Sequence, residues 1–497
     1  MKTSSLLTCA ALLLWSPCAT AQESHPSASD EVPPSAVQAR IGRVEQGLSA
    51  PVVIKGAPDQ KMALAERMAF YQVPAVSIAL INNGRIEWAR AYGMADIASQ
   101  RPATTKTLFQ AGSISKAITA IGALRLVEQG KLSLDEEANR QLIAWKIPQN
   151  DLARQKAITL RMLLNHSAGL TVHGFMGYAQ GQALPTLVQV LDGVPPANSD
   201  PVRVDLVPGS AWRYSGGGYT VVQVMMSEAS GQPFDRYMQA AVLDRMGMSE
   251  SSFAVPLPDT RRDLAATAYV GAGTAIAGRW HNYPESAAAG LWTTPSDLAR
   301  VVLEVQKAEA GKSDAVLSRA MTTTMLTRGL GEYGLGFFVE TLGDRTSFSH
   351  SGGTMGFRSQ LYGYTRAGQG AIVMTNSDTG AALIAEILSS IAAEYGWPDF
   401  KVVEKAALPG DAAVNMQVAG DYQLLDLPAH VIAEGDRLYF QSQLFGAKRM
   451  EMFAESKASF FMTAQDMSIR FERGNDGAIT GFALLRGENT YPAKRMR

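Results

Sequence analysis

The run Thr107-Leu108-Phe109-Gln110-Ala111-Gly112-Ser113-Ile114-Ser115-Lys116-Ala117-Ile118-Thr119-Ala120-Ile121-Gly122-Ala123-Leu124-Arg125-Leu126-Val127 passes from a strand-like pattern into a helix-like one. After Lys116 the apolar residues recur at helical spacing. Ser113-Ile114-Ser115-Lys116 is the only Ser-x-x-Lys in the chain, and it sits at that junction. A serine in the first helical turn and a lysine three residues on share one face, so their side chains can meet. A lysine amine that sheds its proton in a dry site can activate a serine hydroxyl, which is a weak nucleophile by itself. The alternative is that Ser113 only caps the helix, a role serine favours.

Two further segments bear on that choice. Trp212-Arg213-Tyr214-Ser215-Gly216-Gly217-Gly218-Tyr219 sets three glycines beside a tyrosine, which implies a close backbone approach. A phenol with a pKa near about 10 can shuttle a proton when a lysine ammonium lies beside it and makes the phenolate accessible. Phe348-Ser349-His350-Ser351-Gly352-Gly353-Thr354 reads as the end of a strand. Its glycines would let a substrate lie along exposed backbone as if adding a strand. Each segment also has a plain structural reading, as a glycine-rich loop and as a bulge.

Taken in order, Ser-x-x-Lys, Tyr-Ser-Gly and His-Ser-Gly make the chain resemble the serine β-lactamase and penicillin-binding protein superfamily. The likeness is to its class C-like branch, which includes esterases and D-aminopeptidase-type members. The related class A enzymes carry Ser-x-x-Lys, Ser-Asp-Asn and Lys-Thr-Gly. Leu163-Leu164-Asn165-His166-Ser167-Ala168-Gly169-Leu170 and Ala289-Gly290-Leu291-Trp292-Thr293-Thr294-Pro295-Ser296-Asp297-Leu298-Ala299 also match the branch. The resemblance covers roughly residues 60 to 395. It implies that Ser113 attacks a carbonyl carbon and is acylated, while Lys116 and Tyr214 share the acid and base work. It implies an oxyanion hole from the backbone N–H groups of Ser113 and Gly353, and substrate contacts at Gly216, His350, Ser351 and Gly352. It implies no cofactor. His166, His173, His281 and His430 are expected to be structural, and no spacing resembles a metal site.

Two departures bear on substrate. The branch often has asparagine two residues after the tyrosine, and here Gly216 stands there. Class C β-lactamases open the third motif with lysine, and here it is His350, which is mostly neutral at pH 7 and could bind a carboxylate only if protonated. Both point to a serine hydrolase of esterase or peptidase type, acting on a small-molecule or peptide substrate with a carbonyl group. The alternatives are a β-lactamase or DD-peptidase, and a penicillin-binding sensor that acylates without turnover.

The whole chain sets the bounds. Its 497 residues suffice for two or three domains, and 46% hydrophobic with 18% charged residues is a folded composition. A net charge of −1 without basic blocks gives no sign of nucleic acid. Lys2, the apolar Leu6–Trp15 and Ala19-Thr20-Ala21 read as a signal peptide over 1–21, and hence as export to a periplasm. Both cysteines, Cys9 and Cys18, lie within it. No other stretch is long and apolar enough for a transmembrane segment. Residues 22–56 read as a flexible lead and 57–400 as the hydrolase domain. Two strands open that domain, a helical insertion spans about 120–265, and further strands close it. The expected fold is therefore α/β (α+β), an antiparallel sheet flanked by helices. Residues 416–497 alternate in short runs between turns and read as a small antiparallel β-barrel-like domain. Oligomeric state has no signature in the sequence.

Overall fold

The computed structural model describes residues 35–58, 61–271, 273–425, 427–442, 449–486 and 489–496. The segment read as a signal peptide, with both cysteines, lies outside them.

The central sheet is antiparallel and has seven strands: β1 (Ala75–Asn82), β2 (Arg85–Asp96), β3 (Arg101–Pro102), β4 (Phe338–Leu342), β5 (Arg345–Thr354), β6 (Phe357–Tyr364) and β7 (Gly370–Thr375). Their spatial order is β3-β2-β1-β7-β6-β5-β4. The first and last parts of the domain thus meet where β1 pairs with β7, from Val76 opposite Thr375 to Ile81 opposite Gly370. Every residue of β1 is buried, because both faces of the sheet are covered. Val76, Ile78 and Leu80 pack into one apolar cluster, and Ala75, Ala79 and Ile81 into another. That alternation is the period-2 geometry of a strand with two dry faces.

Helices α1 (Ser35–Gln46), α2 (Leu64–Tyr71) and α6 (Gly380–Tyr395) contribute to the cluster on the first face. Across the other lie α3 (Ile114–Glu128), α4 (Gly216–Ser230) and α5 (Pro295–Glu309). Helix α3 buries 12 of its 15 residues. A helix apolar all round belongs inside a domain, which fixes whatever stands at its N-terminus.

Residues 35–56 are not a lead. Ile41 and Val44 of α1 are buried, and Arg43 makes a two-pronged ion pair with Glu394 of α6. Val52–Ile54 pairs in parallel with Val403–Lys405. The Pro- and Ser-rich composition stops at Ser35, and Ile41, Val44 and Leu48 then fall at helical spacing. The helical stretch also outruns residue 265, since the chain returns to the sheet only at Phe338.

The tail forms a closed eight-stranded barrel from Gly420–Leu424 to Asn489–Arg495. Closure leaves no open edge. The barrel docks on the hydrolase domain where Tyr71 Oη lies 3.1 Å from the Ala464 carbonyl oxygen. The same tyrosine donates to Glu386, which is buried and paired with Arg67. Among the described residues no helix is long and apolar enough to cross a membrane.

Candidate active site

Ser113 occupies the N-cap position of α3, yet its hydroxyl makes no capping hydrogen bond. It accepts one from Lys116 Nζ at 3.2 Å instead. The capping alternative therefore fails on geometry. Lys116 is 2% exposed and also donates to the Ala288 carbonyl at 2.8 Å. Segment 287–291 is tied to α3 by Thr119 Oγ1 donating to the Ala287 carbonyl and the Leu291 N–H donating to Ser115 Oγ. Burial brings the Lys116 ammonium down to about 7. A dry site disfavours the charged amine, so near neutral pH this lysine holds its proton loosely.

Tyr214 sits just before the N-cap of α4. There Ser215 accepts the Gly218 N–H at 2.9 Å and donates to the Thr171 carbonyl at 2.7 Å. These bonds aim Tyr214 at Lys116, whose Nζ lies 4.8 Å from the centre of its ring. Burial pushes the Tyr214 phenol well above its ordinary value, and the nearby Ser113 hydroxyl offsets part of that rise. The phenol is therefore protonated, contrary to the accessible phenolate expected from a neighbouring ammonium. The ammonium that would have stabilised a phenolate is itself made easier to discharge by the same burial.

The third element is the far half of β5. Its pairing with β4 stops at Ser349 opposite Phe338, so residues 350–354 keep one edge open beside Ser113. The edge and the Ser113 turn interlock through glycines. A Cβ on Gly352 would stand 1.8 Å from the Ala111 carbonyl oxygen, and one on Gly112 would stand 2.5 Å from Gly353 N. Gly112 also has φ +54°, in the left-handed region. Ser359 Oγ donates to the Ala111 carbonyl at 2.9 Å, closing the joint. The Ser113 and Gly353 backbones thus stand side by side.

A cleft of about 480 Å³ is lined by Ser113, Tyr214, His350, Ser351 and Gly353, with His173, Trp212, Arg213 and Phe338. Two expected substrate contacts need correction here, because Gly352, buried against the Ala111 carbonyl, and Gly216 do not line the cleft. Gly216 is not in the lining: its N–H donates to the His173 carbonyl at 3.0 Å, and a Cβ there would meet Phe175 and that carbonyl. It is glycine because the 173–175 loop crosses the start of α4. His350 lines the cleft as expected, as a neutral imidazole. Its Nδ1 donates to the Ser351 carbonyl at 2.6 Å and its Nε2 faces the Tyr333 hydroxyl at 3.0 Å. Burial, with Lys116 nearby, lowers it to about 3.

His166 packs behind Tyr214, with ring centres 4.2 Å apart, and its Nδ1 accepts the Ser215 N–H at 3.1 Å. His173, expected to be structural, faces the cleft 4.9 Å from the Tyr214 ring. The sequence held no periodicity or spacing to single out His173, Trp212, Arg213 or Phe338, because they come from two loops and the start of β4. Among the described residues no cluster could hold a metal ion.

These groups can take a proton from a serine hydroxyl and deliver one to a leaving atom beside the open edge of β5. The chain has matching relatives. It is 24% identical to Penicillin-binding protein 4* of Bacillus subtilis over 81% of this chain and 91% of that one. It is 30% identical to Esterase EstB of Burkholderia gladioli over 40% of this chain and half of that one. It is 28% identical to a Beta-lactamase of Pseudomonas fluorescens over 52% and 69%. In fold it is similar to an octameric penicillin-binding protein homologue from Pyrococcus abyssi, with a TM-score of 0.60 at 20% identity over 87% of this chain and 98% of that one. The Beta-lactamase family model matches residues 62–392, and the chain belongs to that family.

Proposed function

We propose that this serine hydrolase is exported and cleaves ester or amide bonds of the esterase or peptidase kind, through an acyl-enzyme on Ser113. One observation carries the chemistry: a buried Lys116, easily discharged, within 3.2 Å of the Ser113 hydroxyl. In this reading Lys116 Nζ takes the Ser113 proton as Oγ attacks the carbonyl carbon. The Ser113 and Gly353 N–H groups face the oxyanion, where donors act on charge that develops in the transition state. Tyr214 gives its proton to the departing oxygen or nitrogen and is reprotonated by Lys116. A water then repeats the cycle and releases the acyl group.

The neutral, doubly held His350 supports ester or simple amide substrates over lactams, since the third motif carries no charge for a lactam carboxylate. A β-lactamase or DD-peptidase activity is the second reading, supported by the family and by the Pseudomonas fluorescens and Bacillus subtilis relatives. The deciding test is turnover of a short-chain nitrophenyl ester beside a chromogenic cephalosporin, with Ser113→Ala as blank. Fast ester cleavage with negligible lactam opening is expected. Efficient lactam opening would hand the assignment to the second reading, and equal turnover by Ser113→Ala would refute both. A burst without a second phase would indicate a sensor. Export rests on the N-terminal segment and predicts a mature protein lacking residues 1–21 in the periplasmic fraction, read by mass.

A further inference from the structure

The cleft has a cation that the three motifs do not supply. Arg213 stands between the wall residue Trp212 and Tyr214, and it lines the cleft. It is held at both ends. Its N–H donates to the His166 carbonyl at 2.8 Å, and its guanidinium pairs with Asp205. The Asp205 N–H in turn donates to the Gly169 carbonyl at 3.1 Å, so both charges hang from the 166–169 loop. The pair is open: 32% of the Arg213 side chain and 49% of the Asp205 side chain are exposed. Arg213 Nε is buried without an acceptor. A guanidinium has five donors in a fork suited to carboxylates, and one half-exposed carboxylate does not exhaust them. Among the described residues no other arginine or lysine lines the cleft.

We infer that Arg213 forms an anion subsite of the active-site cleft, selecting substrates that carry a free carboxylate, with Asp205 as an internal competitor for the same guanidinium. The inference rests on the hydrolase reading above. It moves carboxylate recognition from the third motif, where His350 is neutral, to the wall beside Tyr214. Substrate charge then enters by partly displacing Asp205, which tempers the preference for anionic substrates.

The test is the ratio of kcat/KM for an acid to that for its methyl ester. One chromogenic pair carries the carboxylate on the acyl side, mono-4-nitrophenyl glutarate and its methyl ester. Another carries it on the leaving side, 4-acetoxybenzoate and methyl 4-acetoxybenzoate. In at least one pair Arg213→Ala should lower the ratio about 10-fold or more, the scale of a lost charged hydrogen bond. Asp205→Asn, which frees the guanidinium, should raise it about 3-fold or more. Both variants break the same ion pair, so a merely structural role would move the ratio the same way in both. Movement in the same direction, or no movement in either pair, would overturn the subsite. Turnover of none of the four compounds above the Ser113→Ala blank would overturn the hydrolase reading, and the subsite with it.

Discussion

If Lys116 is the base, the pH profile of ester cleavage should report its burial. The folded amine sits near 7 because desolvation disfavours its charge. At pH 5 only about 1% of such an amine is neutral, so kcat/KM should lie about 100-fold below its plateau, and about 10-fold below it at pH 6. An ordinary lysine near 10.4 would instead give a rate still climbing tenfold per unit through pH 9. His350, held near 3, changes no charge between pH 5 and 9, and burial lowers His166 well below its ordinary value. His173 is lowered by its burial and by Lys116, and it faces the cleft. A His173→Gln protein separates the two, and its limb should stay near 7. The assay is initial-rate nitrophenyl ester cleavage from pH 5 to 9, corrected with Ser113→Ala. Lys116→Arg, which cannot discharge, should lose the plateau. A flat profile, or a limb above pH 9, would refute the argument. The same shift has a stability side. The folded pKa is below the unfolded one, so the unfolded chain binds more protons between about pH 7 and 10.5, and stability rises with pH across that window. The penalty is nearly full at pH 7, where Lys116→Met should raise stability by up to about 4 kcal/mol, read from the urea midpoint.

Other outcomes follow from the packing. Gly352→Ala places a methyl 1.8 Å from the Ala111 oxygen and 2.4 Å from Ser359 Oγ. Strand and turn must part, with a loss of about 1–3 kcal/mol in urea unfolding and a fall in kcat. Arg67→Met leaves the Glu386 carboxyl, 1% exposed, without its guanidinium partner. A loss of about 3–5 kcal/mol is expected, most of it recovered when Glu386→Leu is added. Tyr333→Phe removes the hydroxyl facing His350 Nε2. It should lower the denaturation midpoint by about 1–3 kcal/mol of stability; an unchanged midpoint would mean that His350 finds another partner.

The sequence was most readable where a local pattern and the final packing agree. Ala75–Ile81 and Arg85–Ala91 read as a hairpin about Asn82-Asn83-Gly84, and they are the cores of β1 and β2. Ala381–Tyr395 reads as a helix and falls within α6. Ser-x-x-Lys was readable because serine and lysine share one helix, so spacing alone brings them to 3.2 Å. What could not be read depends on distant partners. The Tyr333 contact to His350, the ordering of residues 35–54 by α6 and Val403–Lys405, and the crossing of the 173–175 loop over Gly216 all join segments far apart in sequence. The ionisation states were hidden for the same reason. Nothing in Tyr-Ser-Gly or His-Ser-Gly shows how dry their side chains become.

Ser113 and Lys116 ride on one buried rod, while Trp212, Arg213, His173 and Phe338 come from loops and a strand that meet only at the cleft. Thermal motion or sequence drift in those walls can reshape what enters without altering the spacing between nucleophile and base. The molecule thus separates two tasks that many sites entangle, and a lineage could change its diet by rewriting loops while its reaction stays the same.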